Sequence, residues 1–302
     1  MSAVDVTPWD AGRPARTGGV EVRCEGVVHL YRTFAGHDVV ALRGLDLTIG
    51  AGERVAFLGP SGCGKSTLLT LLGGIQRPSA GRVFLGDEEI SRLGERRLAR
   101  VRARLVSTML QGATRNLLPY ATARQNLAFA RLGADADSRD DLPDPAELLE
   151  RVGLAGQRDQ VVATMSGGQR QRLALACAVA TGPRLLLADE PTSALGHEDR
   201  ETVVALLHRV ATDLDTTLIV VTHQAEVAAS FPRTITMKNG RIGAEGRSGS
   251  EYAVLGEEGL LHLPTELVEL WPAGQLVRIE ADGEDRLVIS RESRQNPEDG
   301  SR

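Results

Sequence analysis

The sequence lacks the features that would place it across a membrane or in an oxidising compartment. No uninterrupted apolar run approaches the roughly 18 residues that a membrane-spanning helix needs. The three cysteines, Cys24, Cys63 and Cys177, are scattered, so they suggest neither a disulfide framework nor a zinc site. The first ten residues have no basic start followed by an apolar stretch, so we expect no secretion signal. Together these absences favour a reducing cytoplasm.

Lysine and aromatic residues are also scarce. Of 35 lysines plus arginines only Lys65 and Lys238 are lysines, and aromatic residues make up 3% of the chain. The net charge of −5 argues against a general nucleic-acid binder, so we expect no nucleic acid as a partner. With 42% hydrophobic and 25% charged residues in 302, the chain has the composition of a globular protein with a sizeable core.

Apolar strands alternate with helical segments along most of the chain, which predicts an α/β fold with a mainly parallel sheet. Two early segments alternate with period two and suggest antiparallel strands. A compact buried strand, a glycine-rich turn and an apolar helix follow, and strand–helix alternation returns later. The predicted elements are strands at 20–32, 39–49, 54–59, 184–190 and 217–223 and helices at 65–74 and 200–213.

Changes in composition suggest how the chain is divided. A stretch rich in Arg, Leu and Ala from about 93 to 165 predicts a mostly helical insertion, with helices at 94–104, 122–131 and 145–153. A short Gly- and Ser-rich linker is expected at 246–250. The predicted organisation is a flexible arm at 1–18, a main domain at 19–247 with its helical subdomain at about 112–165, a small C-terminal module at 251–291 and a flexible tail at 292–302.

The segment 59-GPSGCGKST-67 is the sharpest motif of the sequence. It matches G-x-x-x-x-G-K-[ST], follows a predicted strand and opens a predicted helix, as a phosphate-binding loop requires. Its glycines let backbone N–H groups close around phosphate oxygens, and the helix N-terminus favours the anion. Lys65 is expected to reach the β- and γ-phosphates of ATP, and Ser66 to bind Mg²⁺. The residues expected to contact the nucleotide here are Gly59, Pro60, Ser61, Gly62, Cys63, Gly64, Lys65, Ser66 and Thr67.

Two adjacent carboxylates follow the apolar strand 185-LLLADE-190. Because neighbouring side chains on a strand point to opposite sides, Asp189 and Glu190 can serve different roles. Asp189 suits the Mg²⁺ shell, and Glu190 suits polarising the attacking water. Two acids after a strand are commonly just a solvated strand end, but a phosphate loop upstream makes that interpretation improbable.

The segment 165-MSGGQRQRLALA-176, about 20 residues before Asp189, resembles the signature sequence of the ATP-binding subunits of ABC transporters. The resemblance implies a P-loop NTPase fold of the ABC ATPase type, with an antiparallel β subdomain and a helical insertion. It also implies a head-to-tail dimer in which the signature of one copy completes the nucleotide site of the other. The residues carried over for that contact are Ser166, Gly167, Gly168 and Gln169.

Three further residues resemble characteristic residues of the same family. Gln111 resembles the glutamine that joins the metal site to the helical subdomain, His223 the histidine that contacts the γ-phosphate, and Tyr31 the aromatic that stacks on adenine. The resemblance thus implies Ser66, Gln111 and Asp189 as metal ligands and Glu190, His223 and Lys65 as the catalytic residues. The sequence departs from the family at Gly196, where Asp is usual, which puts coupling between the two sites in doubt.

Residues 71–126 are similar to the lipoprotein-release and macrolide-efflux branch of the family. The cues are LLGG followed by RPSAG, an Arg-rich helix and Asn116-Leu117-Leu118-Pro119. This resemblance implies an ATPase coupled to a separately encoded integral-membrane permease, held at the cytoplasmic face of the membrane and dimeric. Export of a lipid, lipoprotein, peptide or drug, or mechanotransmission, would fit that branch. An ATPase that regulates a non-transporting membrane partner, or a soluble ABC ATPase, remains as an alternative.

The C-terminal part faintly resembles the swapped-hairpin unit of AbrB-like proteins. It is expected to contain a short amphipathic helix at 265–271 and a hairpin at about 276–290. Because such a unit is too small to bury its own core, it predicts a dimerisation module. Its many glutamates oppose binding of nucleic acid. A plain hairpin packed on the ATPase is the alternative.

Overall fold

The computed structural model describes residues 18–32, 37–134, 142, 144–247, 250–253, 277–283 and 287–291. The predicted helix at 265–271, the tail at 292–302 and all but the last residue of the arm at 1–18 lie outside these residues. Within the described ranges no helix is both long and apolar enough to cross a membrane.

The described elements follow the predicted order, with additional strands before and after the helical insertion. The strands are β1 (Val22–Arg32), β2 (Asp38–Ile49), β3 (Arg54–Leu58), β4 (Ala80–Leu85), β5 (Glu88–Glu89), β6 (Val106–Met109), β7 (Leu185–Asp189), β8 (Thr217–Thr222), β9 (Arg233–Lys238), β10 (Arg241–Arg247), β11 (Ser250–Ala253), β12 (Val277–Ala281) and β13 (Leu287–Arg291). The helices are α1 (Lys65–Leu72), α2 (Glu95–Leu105), α3 (Ala123–Arg131), α4 (Pro145–Arg151), α5 (Gly167–Val179), α6 (His197–Asp213) and α7 (Ala225–Ala229).

These strands form two large sheets and a separate hairpin. The seven-stranded sheet has the order β11-β10-β9-β3-β8-β7-β6, with β9, β3, β8, β7 and β6 parallel and β10 and β11 antiparallel at one edge. The four-stranded antiparallel sheet has the order β2-β1-β4-β5. β12 and β13 pair antiparallel, as predicted for the C-terminal hairpin. The mixed sheets confirm the predicted fold class, and β3, which precedes the glycine-rich loop, lies in the middle of the larger sheet.

Alternation along the buried strands supplies two hydrophobic cores, one on each face of the large sheet. On β3, Ala56 belongs to the core that contains the helices α3, α5 and α6, whereas Val55 and Phe57 face the core beneath α1 and the antiparallel sheet. The strands read as continuous apolar runs in the sequence because both of their faces are buried. Because β3 is packed on both faces, its position in the sheet is fixed, and so is the starting point of the loop that follows it.

The largely buried side chain of Arg233 joins the two sheets. The guanidinium of Arg233 donates to both carboxylate oxygens of Glu245, at 2.9 and 3.1 Å, and to Glu53 Oε2 at 2.8 Å. It also donates to the backbone oxygen of Thr48 in β2, at 2.9 Å. Burial would raise the pKa of Glu245, but the hydrogen bonds from Arg233 and Arg247 outweigh it and hold that pKa below its usual range. The ion pair therefore stabilises the fold at neutral pH, and its contribution is lost as the pH falls through this lowered pKa.

Two expectations from composition are wrong. The Gly- and Ser-rich stretch 246–250 is not a free linker, because β10 extends to Arg247, β11 starts at Ser250 and the two strands pair. Ladder hydrogen bonds are made by the backbone, so small side chains do not prevent them. The helical insertion also does not begin at 93. Leu98 and Leu105 of α2 pack in the core beneath the antiparallel sheet, and β6 follows as a strand of the large sheet. The domain boundaries given above stay predictions.

We predict that Arg233→Ala lowers the free energy of unfolding by about 2–3 kcal/mol, because the largely buried carboxylate of Glu245 loses two hydrogen bonds and the more exposed Glu53 loses one. Urea denaturation at neutral pH measures the change. Arg247→Ala is the matched control. Arg247 also contacts Glu245, but its side chain is 59% exposed against 11% for Arg233, so we expect a loss below about 1 kcal/mol. Equal losses for the two variants would contradict this description of the junction.

Candidate functional site

The glycine-rich loop between β3 and α1 is packed so tightly that two of its glycines cannot be replaced without moving a neighbour. A Cβ at Gly59 would lie 2.3 Å from the backbone oxygen of Met237, and one at Gly64 would lie 2.5 Å from that of Ala41. Gly64 also has a φ of 103°, which side chains disfavour. The backbone N–H of Gly240 donates to Cys63 O at 3.0 Å. The loop is thus held between β2 of the antiparallel sheet and the turn that follows β9.

Lys65 bends back across this loop. Its Nζ donates to the backbone oxygens of Gly59, at 2.7 Å, and Pro60, at 2.9 Å, and the side chain is buried. A buried ammonium is rarely left with neutral carbonyl partners alone. The arrangement is therefore suited to an anion, which would bind the same ammonium more strongly than two carbonyls do.

Ser66 and Asp189 lie together, as the sequence predicts. The Ser66 hydroxyl, on the first turn of α1, donates to Asp189 Oδ1 at 3.2 Å across the carboxyl end of β7. Burial raises the pKa of Asp189 above its usual range and Glu190 raises it further, whereas the Ser66 hydrogen bond, Lys65 and Arg115 lower it in part. A hydroxyl and a carboxylate at this spacing are two hard oxygen donors, which is the ligand type that Mg²⁺ prefers.

Glu190 and His223 are brought into direct contact. His223 Nδ1 lies 2.8 Å from Glu190 Oε1 at the ends of two adjacent parallel strands. Glu190 has a φ of 47°, a left-handed backbone conformation that is uncommon for a residue with a side chain. Its second carboxylate oxygen, Oε2, is buried and has no hydrogen-bond partner among the described residues. Such an orphaned acceptor is costly in a resting protein and is typical of a site that waits for a ligand or water.

The structure places Tyr31 and Gln111, two further predicted nucleotide-site residues, in different parts of the fold. The Tyr31 hydroxyl lies 3.3 Å from Thr67 Oγ1 and donates to Gln76 Oε1 at 2.9 Å. His29 meets the tyrosine ring edge-on, with ring centroids 4.7 Å apart. Gln111 is exposed two residues beyond the end of β6. Tyr31 therefore contacts Thr67 at the end of the loop motif, and its stacking on adenine stays a prediction; Gln111 lies at the start of the segment that leads into the helical insertion.

The predicted signature residues form the N-terminus of α5. Ser166 Oγ accepts from the backbone N–H of Gln169 at 3.1 Å, and the Gln169 side chain accepts from the Ser166 N–H at 2.8 Å. A Cβ at Gly168 would lie 2.1 Å from Asp199 Oδ1, so a larger residue there would require the Asp199 side chain to move. Ser166 and Gly167 are exposed, and in the described part of the chain this segment makes no hydrogen bond to the phosphate loop.

Two features of the site were missed from the sequence. The turn at Asn239 and Gly240 supports the phosphate loop, and both residues have positive φ, as a tight hairpin turn requires. The Asn-Gly pair between 233–238 and 241–247 was the available signal. Arg115, near enough to Asp189 to lower its pKa, is the last residue of the short 3-10 helix Ala113–Arg115, and no motif in the sequence marks it.

Comparison with known proteins agrees with this geometry. Residues 42–193 match the family model described as ABC transporter. The chain is 40% identical over 214 residues to an uncharacterised ABC transporter ATP-binding protein of Thermotoga maritima, covering 71% of this chain and 90% of that protein. It is 40% identical over 216 residues to the lipoprotein-releasing system ATP-binding protein LolD of Shewanella frigidimarina, again covering 71% and 90%.

A third relative is much longer than this chain. The macrolide export ATP-binding/permease protein MacB of Rhodopirellula baltica is 41% identical over 213 residues, which are 70% of this chain but only 31% of that protein. Among solved structures, the dimeric ATP-binding cassette MJ0796 bound to ADP and Pi superposes with a TM-score of 0.67 at 30% identity, covering 75% of this chain and 98% of that one. A structure of cbiO1 from Clostridium perfringens, part of the ABC transporter complex cbiONQ, gives a TM-score of 0.66 at 27% identity, with coverages of 76% and 89%. The chain therefore belongs to the ABC transporter family, as an ATP-binding and ATP-hydrolysing protein.

Proposed function

We propose that this chain is the ATPase subunit of an exporter-like or mechanotransmitting complex, working as a dimer and attached to the cytoplasmic face of the membrane through a separate integral-membrane permease. The observation that carries the proposal is a rigid, exposed apolar segment beside the nucleotide site. Leu118 is 43% exposed and Tyr120 is 91% exposed, immediately beyond Gln111 and its loop. Exposed apolar side chains that are clustered and held in place mark interaction surfaces.

Two asparagines hold this segment in a fixed shape. Asn116 accepts from the backbone N–H of Leu110 and donates to its C=O, both at 2.8 Å, and also donates to Gly112 O at 3.1 Å. The buried Asn126 binds the N–H and C=O of Leu118 at 2.7 and 3.2 Å. The backbone groups of Leu110 and Gly112, on either side of Gln111, and those of Leu118 itself are therefore paired. Because this segment is held together, we expect a movement of Gln111 to be transmitted to the exposed apolar side chains.

The relatives support a division of labour between ATPase and permease. The chain covers 90% of a protein named as the ATP-binding protein of a lipoprotein-releasing system, and it matches about a third of a protein named as a combined ATP-binding and permease protein. We infer a permease partner of that type for this chain. A lipid, lipoprotein, peptide or drug is the class of cargo that the same similarity suggests.

The proposed roles in the nucleotide site follow from the contacts. Lys65 would exchange its two carbonyl partners for the β- and γ-phosphates of ATP, while the loop amides and Thr67 bind the remaining phosphate oxygens. Ser66 and Asp189, already adjacent, would hold Mg²⁺ with Gln111. When bound, Mg²⁺ neutralises charge on the β- and γ-phosphate oxygens. Tyr31, with its ring braced by His29, would stack on adenine.

Hydrolysis is proposed as in-line attack of water on the γ-phosphorus. The bond from the water oxygen to phosphorus forms while the bond from the β,γ-bridging oxygen to phosphorus breaks, and the proton of the water passes to the carboxylate of Glu190. The unpartnered Oε2 of Glu190 is available for this water, because His223 binds Oε1. Through this hydrogen bond His223 would orient Glu190. We also expect His223 to contact the γ-phosphate. The Ser166–Gln169 segment of the second copy, of which Ser166 and Gly167 are exposed, would complete the site.

We predict that Lys65→Ala weakens ATP binding by about tenfold to a hundredfold, because the nucleotide loses a charged hydrogen-bond donor. Titration calorimetry measures the change. Lys238→Ala is the matched control, since Lys238 is the other lysine of the chain, is exposed and follows Met237 beside the same loop. Unchanged ATP affinity in Lys65→Ala would contradict the assignment of the loop.

We predict that tagged Glu190→Gln protein, incubated with ATP in native membranes, captures a polytopic membrane protein. Removing the carboxylate slows hydrolysis and traps the ATP-bound dimer, and mass spectrometry identifies what is bound to it. Adding Leu118→Ser and Tyr120→Ser should abolish this capture and leave ATP binding unchanged. Recovery of ribosomes or other soluble partners alone would overturn the membrane assignment, whereas a captured membrane protein without a substrate path would favour a regulatory role.

A further inference from the structure

The outward face of helix α2 is strongly basic in a chain whose net charge is −5. Five arginines fall within its 11 residues. Leu98 and Leu105 are buried on the inner face of the helix, and Arg96, Arg100 and Arg104, spaced four residues apart, form a stripe on the opposite face. All three are exposed, so the stripe presents three guanidinium groups to the surroundings.

The stripe is not neutralised by neighbouring acids. The carboxylates near the start of α2 are already occupied, since Glu95 binds Arg77 and Glu88 binds Arg97. Within the part of the chain that the structure describes, no ion pair or hydrogen bond is found for the side chains of the three stripe arginines, Arg96, Arg100 and Arg104. Fixed guanidinium groups without carboxylate partners are suited to bind phosphate groups, which they can contact with two parallel hydrogen bonds.

The surface beside the stripe combines aliphatic side chains with a further arginine. A groove of about 500 Å³ runs along α2; its walls include Ala99, Arg102 and Ala103 of the helix, the polar Thr108, and Ile75 and Leu110, which are 47% and 39% exposed. A cluster of arginines next to exposed aliphatic side chains is the combination that binds the headgroup region of an anionic membrane. Leu110 is also the residue before Gln111, so the stripe and the proposed permease surface lie along one continuous part of the chain.

We propose that the outward face of α2 binds anionic phospholipid headgroups, so that the protein contacts the membrane surface directly as well as through its protein partner. The orientation toward the membrane rests on the proposed function, but the affinity of the arginine stripe for lipid does not. Direct lipid contact would keep the ATPase at the membrane between encounters with the permease and would restrict its rotation. Because such binding is electrostatic, it weakens as salt is added.

The test is sedimentation of the full-length protein with vesicles that contain no other protein. The vesicles are either phosphatidylcholine alone or equal parts of phosphatidylcholine and phosphatidylglycerol, at low salt. We expect binding to the anionic vesicles only. Arg96→Gln, Arg100→Gln and Arg104→Gln combined should weaken it about a hundredfold, since each arginine near a membrane surface contributes about a fivefold factor. Arg100→Gln alone should weaken it about fivefold, which serves if the triple variant fails to fold.

The control is a triple variant with the same loss of charge outside α2, namely Arg32→Gln, Arg247→Gln and Arg278→Gln, whose side chains are exposed. It should bind anionic vesicles as the unmodified protein does. Absence of binding to anionic vesicles, or equal weakening in both triple variants, would overturn the proposal. ATP affinity and permease capture are measured separately, so failure of lipid binding would leave the proposed function standing.

Discussion

The site depends on one constraint, the close packing of the phosphate loop between two sheets. Gly64 lies against the backbone of β2 in the antiparallel sheet, and Gly59 lies against the end of β9 in the large sheet. The loop conformation is therefore set by both sheets, and a shift between them would change the direction of the backbone amides. The hydrogen bond from Arg233 to the backbone oxygen of Thr48 joins the same two sheets, so the residue whose ion pairs with Glu245 and Glu53 stabilise the fold also helps to hold the phosphate loop in place.

Glu190, which follows β7, is the strained residue of the site. Glu190 occupies a left-handed backbone conformation and buries one carboxylate oxygen without a partner, while His223 holds the other oxygen. Both features cost free energy. A bound attacking water would give Oε2 a hydrogen-bond partner, so the burial of this oxygen favours binding of the nucleotide and its water.

Much of this arrangement follows from the sequence, because the motifs lie on elements with strong local patterns. The strand before Gly59, the helix after it and the apolar strand before Asp189 are each specified by continuous apolar runs, and a parallel sheet brings their carboxyl ends to one edge. What could not be predicted depends on contacts between distant segments. The hydrogen bond between Gly240 and Cys63 and the approach of Arg115 to Asp189 join parts of the chain with no shared sequence pattern. Composition predicted α2 as a helix but placed it in the helical insertion, and it indicated a linker at 246–250 where two strands pair.

One copy of the chain holds only part of the proposed nucleotide site, since Ser166 and Gly167 are exposed and, among the described residues, the side chains of Ser166 and Gln169 are bonded to each other's backbone N–H groups. We propose that ATP is bound between two copies. Light scattering of purified Glu190→Gln protein, with and without ATP, tests this most directly. We expect a monomer without nucleotide and twice that mass with ATP. A protein that binds ATP and stays monomeric at every concentration would contradict binding between two copies.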